Sequence, residues 1–159
     1  MTVISTHKDP EALTLTFVAE FAAPVDRVWQ VWADPRRLEQ WWGPPTWPST
    51  FVELDLSVGG RAAYFMTGPE GEKAGGWWRI TAVDAPHLLE FEDGFADQDG
   101  QPADMPTTTT VVTLEATGEG TRMTTVGTFS SLEEMEKLVA MGMEEGMRLA
   151  MGQIDAILT

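Results

Sequence analysis

From Ser130 to Leu158 the apolar residues recur every three or four positions: Leu132, Met135, Leu138, Val139, Met143, Met147, Ala150, Ile154 and Ile157. That spacing is one face of an α-helix, and Glu133, Glu134, Lys137, Glu144, Glu145, Arg148 and Asp155 fall mostly on the other side. Ser131-Leu-Glu-Glu134 fits a capping box, and its acids suit the positive end of a helix dipole. The pattern predicts one long helix over 130–158. It is long enough to span a bilayer, but its acids would be costly in hydrocarbon, so the helix is expected to bury its apolar face against protein. Such a stripe requires a second layer, which the rest of the chain must supply.

Gly142 and Gly146 lie one turn apart beside the stripe, and each costs roughly 1 kcal/mol relative to Ala inside a helix. They fit either a bend or close approach of the helix to a strand, or else space left open over a cavity. Met135, Met141, Met143, Met147 and Met151 fill irregular gaps in cores and also line adaptable binding surfaces.

The residues before this helix read mainly as strands. Leu13, Leu15, Phe17, Ala19 and Phe21 alternate with polar or smaller neighbours, and Ala23-Pro24 stops the run. Val25, Val28, Trp29 and Trp32 then follow a helical period. Asp34-Pro35 opens a second short helix carrying Leu38, Trp41 and Trp42, and Gly43-Pro44-Pro45 ends it. From Trp47 onward strands alternate with turns: 47–56 (Val52, Leu54 and Leu56 against Phe51, Glu53 and Asp55), 61–67, 73–83, 88–93, 107–116 and 121–129. An acidic, Gly/Pro-rich loop is expected at 94–106. The order is strand, two small helices, about six strands and a long helix. An antiparallel meander cannot bury its concave face alone, and the terminal helix would cover it.

A chain of 159 residues with 43% apolar content is expected to form one folded domain at 13–159, with a short polar tail at 1–12. It has no cysteine, so a disulfide, a thiolate metal site and a Cys nucleophile are excluded. No signal peptide or apolar span opens it, which makes the cytoplasm the expected location. A net charge of −15 argues against nucleic acid and anionic membranes, which call for a basic face.

Ala23-Pro24, Val28-Trp29, Trp32-Ala33-Asp34-Pro35, Leu38 and Trp41-Trp42-Gly43-Pro44 together resemble the START-like, helix-grip (SRPBCC) superfamily. The closer resemblance is to the branch named after the activator of Hsp90 ATPase homologue. It is carried further by Glu53-Leu-Asp-Leu56, Gly59-Gly60-Arg61, Glu92-Asp-Gly94, Thr121-Arg122-Met123-Thr124 and Met141-Gly-Met-Glu-Glu-Gly146, and runs from about Leu13 to Leu158. It implies an α+β helix-grip fold: a curved antiparallel sheet of about seven strands gripping a long C-terminal helix, two short helices after the first strand, and an apolar cavity in between. Family members often carry Trp where this chain has Met147, which puts a smaller, more flexible side chain at the cavity.

Alternation and this resemblance select the candidate ligand-binding residues. Met143, Met147 and Ala150 come from the helix. Tyr64 and Met66, Trp78 and Ile80, Leu89 and Phe91, Val112 and Leu114, and Met123 and Thr125 come from one sheet face, with Trp41 and Trp42 closing one end. A slip of one residue would turn each strand set outward. Trp29 and Trp32 are expected to pack in the core, and one member of each adjacent pair, Trp41-Trp42 and Trp77-Trp78, to face outward.

No Gly-x-Ser-x-Gly, phosphate loop, dinucleotide fingerprint or His-Glu-x-x-His is present, and no catalytic residue, metal or cofactor is assigned. Asp97-x-Asp99-Gly100 fails as a calcium loop, since the frame puts Phe95 and Pro106 at ligand positions. His7 and His87 are read as surface residues. Glu53, Asp55, Arg61, Arg79 and Glu90 fit the outer face better than a buried ion pair. Three functions follow in order: binding of a small apolar or amphipathic molecule, partnership with an Hsp90-type chaperone in a stress response, and a cyclase- or hydrolase-like activity in the same cavity. Self-association into a homodimer is a further expectation.

Overall fold

A computed structural model of the chain describes residues 3–158. Met1 and Thr2 of the expected tail, and Thr159 at the expected end of the domain, lie outside the described residues. Eight strands form one antiparallel sheet: β1 (Val3–Asp9), β2 (Thr14–Phe21), β3 (Ser49–Leu54), β4 (Arg61–Thr67), β5 (Lys73–Asp84), β6 (Leu88–Ala96), β7 (Thr108–Ala116) and β8 (Thr121–Phe129). Their order across the sheet is β1-β2-β8-β7-β6-β5-β4-β3. Two short helices, α1 (Val25–Ala33) and α2 (Pro35–Leu38), carry the chain from β2 to the far edge at β3.

The period-2 patterns place one face of nearly every strand in the core. Leu15, Phe17, Ala19 and Phe21 of β2, Trp78 and Ile80 of β5, Leu89 and Phe91 of β6, Val112 and Leu114 of β7, and Met123 and Thr125 of β8 are all buried. Short local signals fix the small helices. The Asp34 side chain accepts from Arg36 N at 2.9 Å with Pro35 at the first helical position, so α2 starts where the sequence predicts.

Four expectations are corrected. Residues 3–9, read as tail, form β1, pairing with β2 from Asp9↔Thr14 to Val3↔Ala19. This makes eight strands, not seven. The single long helix is three: α3 (Leu132–Ala140), α4 (Met143–Met151) and α5 (Ile154–Leu158). The first break falls at Gly142, whose φ of +90° ends the right-handed helix. Ser131 does cap α3, its hydroxyl accepting from Glu134 N at 3.1 Å. The face assignment of β3 is reversed at its start: a bulge between Phe51 and Glu53 buries Phe51 and leaves Val52 68% exposed. Finally, the 94–106 loop is shorter, because β6 continues to Ala96, which bridges Pro102. Asp97 accepts from the backbone N–H of Asp99 and Gln101, so the Asp97–Gly100 stretch is a turn.

The helices cover the concave side unevenly. α1 packs against β7 and α5, and α3 packs against β8. The α4–α5 break is tied across the fold by Gln153, whose Nε2 donates to Gly43 O at 2.8 Å. The outer face carries the exposed pairs Glu53–Arg61 and Glu20–Arg122 and the partly covered pair Arg79–Glu92. Among the described residues no helix is long and apolar enough to cross a membrane.

The two helix glycines should respond oppositely to alanine. Gly142→Ala forces a Cβ into the left-handed region and should lose about 1 kcal/mol. Gly146 sits inside α4 with nothing near its would-be Cβ, so Gly146→Ala should gain about 0.5–1 kcal/mol. Urea unfolding of both variants measures the signs.

Candidate functional site

Five aromatic rings divide the concave face into a filled half and an open half. Trp32 of α1 meets Trp41 edge-on, with centroids 4.7 Å apart. Trp42 meets Trp78 edge-on at 4.9 Å, and Trp78 stacks on Phe91 at 4.1 Å. Trp41 Nε1 donates to Val31 O at 2.8 Å, and Trp32 Nε1 points at Met123 Sδ, 3.3 Å away. The far side of Trp42 is a cavity of about 560 Å³. The 42–47 loop, β4, β5, β6 and β7 form its base, and α3, α4 and the break between them form its roof.

Trp42, Tyr64, Met66, Met143 and Met147 line this cavity, as does Ala150. Trp41, Trp78, Phe91, Val112, Met123 and Thr125 do not. They face inward as alternation requires, but the indole cluster and α1 occupy the space above them, so they are solid core. The expectation that one member of each Trp pair faces out holds for Trp77, which lies on the face of β5 opposite Trp78, and is corrected for Trp41-Trp42. Trp41 and Trp42 are both buried, and Trp77 is half-buried with its Nε1 donating to Phe95 O at 3.0 Å. Gly142 and Gly146 line the roof with no atom within 4 Å of an added Cβ, so Gly146 leaves open space while Gly142 also makes the bend. The remaining wall includes Gly43, Pro44, Trp47, Phe95, Pro106, Leu138 and Met141.

One polar pair interrupts the apolar lining. The Tyr64 hydroxyl lies 3.4 Å from Asp93 Oδ1 in donating geometry. Gly76 makes this placement possible. It pairs with Tyr64 across β4 and β5, and a Cβ there would fall 2.3 Å from the phenol oxygen. Burial pushes the Asp93 carboxyl up from its ordinary 3.8 to about 7, with the Tyr64 hydrogen bond acting the other way. Burial also raises the Tyr64 phenol, and the Asp93 charge adds to the rise. The indole N–H groups of Trp42 and Trp78 oppose it, although neither closes a hydrogen bond. Asp93 is half-buried and borders the cavity.

Sequence reasoning assigned Asp93 no role. The signal was present, since Asp93 is two residues after Phe91 and so shares its inward face. Among the described residues no group of three or more His, Asp or Glu could hold a metal ion.

The model of the family described as Activator of Hsp90 ATPase homolog 1-like protein matches residues 22–159. The chain belongs to this family. Similar solved structures agree. A solution structure from Arthrobacter aurescens is 57% identical with a TM-score of 0.96, covering 99% of this chain and 92% of the other. A crystal structure from Mycobacterium smegmatis is 54% identical with a TM-score of 0.91, covering 99% and 97%. One from Rhodobacter sphaeroides is 25% identical with a TM-score of 0.83, covering 97% of each. No curated protein matches the chain. The family's helix-grip architecture is therefore the fold of this chain, with the gripped helix broken at Gly142.

The Asp93 carboxyl gives the stability a sign. Unfolded, it titrates near 3.8, and folded near 7, so between these values the folded state holds the extra proton. Its contribution is complete below that window and falls as pH rises through it, by at most about 1.4 kcal/mol per pH unit. Asp93→Asn should remove this slope. Relative to wild type, the variant should gain stability between about pH 5 and about pH 8 in urea titrations.

Proposed function

We propose that this AHSA1-family protein binds a small apolar or amphipathic molecule in the cavity beneath α3 and α4. The supporting observation is the cavity itself: about 560 Å³, walled by Trp, Met, Leu and Pro side chains, with one polar pair at its base. This is the size and chemistry of a small-molecule site, in which apolar walls supply affinity and a few polar groups orient the ligand. The methionines of α4 supply adaptable packing, with Met147 leaving room where family members often carry Trp.

A second reading is an acid–base enzyme using the same space, supported by the carboxyl near 7, since a group titrating near the working pH transfers protons well. The family description names an Hsp90 ATPase activator, so partnership with a chaperone is a third reading, tested by pull-down.

Native mass spectrometry of freshly purified protein should show a bound small molecule that denaturing conditions release. Gly146→Leu places a side chain in the cavity without meeting an existing atom at its Cβ. It should lower occupancy at least tenfold while keeping the fold, a loss of about 1.4 kcal/mol in binding. Full occupancy in that variant would sink the reading.

A further inference from the structure

The ionisable groups in the cavity wall are both acids. Asp93 and Tyr64 line it, and none of its lining residues is Lys, Arg or His. The charged side chains on the surrounding elements lie elsewhere. Arg61 of β4 pairs with Glu53, Lys73 of β5 sits 4.3 Å over the Phe65 ring, and Arg79 of β5 pairs with Glu92. Lys137 and Glu134 of α3, and Glu144, Glu145 and Arg148 of α4, are outside the lining, as are the loop acids Asp97, Asp99 and Asp104. β7 contributes Thr108 to the wall and no charge.

An anionic amphiphile such as a fatty acid would therefore bring its carboxylate to a low-dielectric site containing Asp93 and no countercharge, which is unfavourable. A cationic head meets the opposite situation. Its charge is matched by the Asp93 carboxylate and by the aromatic rings of Trp42, Trp47, Tyr64 and Phe95 in the same wall. The net charge of −15 on the whole chain also raises the local concentration of cations.

We infer that the cavity selects amphiphiles with a cationic head, a protonated amine or a quaternary ammonium, seated against Asp93 among these rings. This rests on the cavity being a binding site, and it goes further by fixing the charge of the ligand. A cation bound there favours the carboxylate, so uptake near neutral pH displaces the Asp93 proton to solvent.

Three probes with the same chain separate the possibilities: decyltrimethylammonium, decanol and decanoate, followed by tryptophan fluorescence and calorimetry below their aggregation limits. At about pH 8 the ammonium should bind roughly tenfold or more tighter than decanol, with decanoate weakest. Its affinity should fall as pH drops below the Asp93 titration, and its binding heat near neutrality should depend on buffer through the released proton. Asp93→Asn should bring ammonium and decanol within about twofold of each other. The pH series on wild-type protein reads the same effect without a substitution. Equal binding of all three probes, or tightest binding of decanoate, overturns the charge assignment and leaves the cavity reading standing. An ammonium preference that survives Asp93→Asn is adsorption to the acidic surface, and it also overturns the assignment. Failure of every probe to bind overturns the cavity reading and this inference with it.

Discussion

How far the indoles reach across the concave face decides everything above the sheet. An eight-stranded curved sheet offers more apolar surface than the short helices cover. Trp32, Trp41, Trp42, Trp78 and Phe91 fill the excess on one side. Each such ring buries on the order of 150–250 Å² and favours edge-on or offset contacts. The angles here, 82° for Trp32–Trp41 and 20° for Trp78–Phe91, are of those kinds. These contacts chain without a gap from α1 to β6, so the filled half is continuous. Trp42 is its boundary, being at once a member of the cluster and a wall of the cavity. The cluster also carries a penalty. The Nε1 groups of Trp42 and Trp78 are buried without partners, each costing about 1–3 kcal/mol.

The site depends as much on missing side chains as on present ones. At Gly76 the absent Cβ lets the Tyr64 ring lie against β5 and brings its hydroxyl to Asp93. At Gly142 a positive φ breaks the helix, so α4 can take its own direction away from α3. At Gly146 nothing fills the roof. These glycines reduce local helix or strand propensity, and a chain selected only for stability would replace at least Gly146. Local rules broken together around one space point to function.

Much of this was legible in the residues. Period-2 alternation placed Leu89, Phe91, Val112, Leu114 and Met123 on the inward face, because one buried face makes a slip in register expensive. Asp34-Pro35 and Ser131 announced two helix starts, since capping is a local interaction. What escaped was set by distant contacts. The strand at Val3–Asp9 is polar and takes its conformation from pairing with β2. Phe51 turns inward because α2 meets this edge strand, with Glu39 accepting from Phe51 N at 2.7 Å and Arg36 donating to Phe51 O at 3.1 Å. Inward facing was readable, but cavity lining was not. Val112 and Met147 look equally apolar in sequence, and only the position of the indoles makes one of them core and the other wall.

Asp93 shows why a strongly acidic chain can still hold a specific charged site. Acids on the outer face sit in water, where salt limits their reach to about 8–10 Å, and they act as a diffuse field. Asp93 is largely desolvated, so its charge is less screened than on the outer face and costly to create, which is why its carboxyl holds a proton up to about 7. The same desolvation that destabilises the lone carboxylate strengthens any partner that reaches it. A molecule filling the space would bury apolar area against Met143 and Met147 and relieve the carboxylate in one event. Binding would then stabilise the folded chain by mass action, most strongly above the pH at which Asp93 loses its proton.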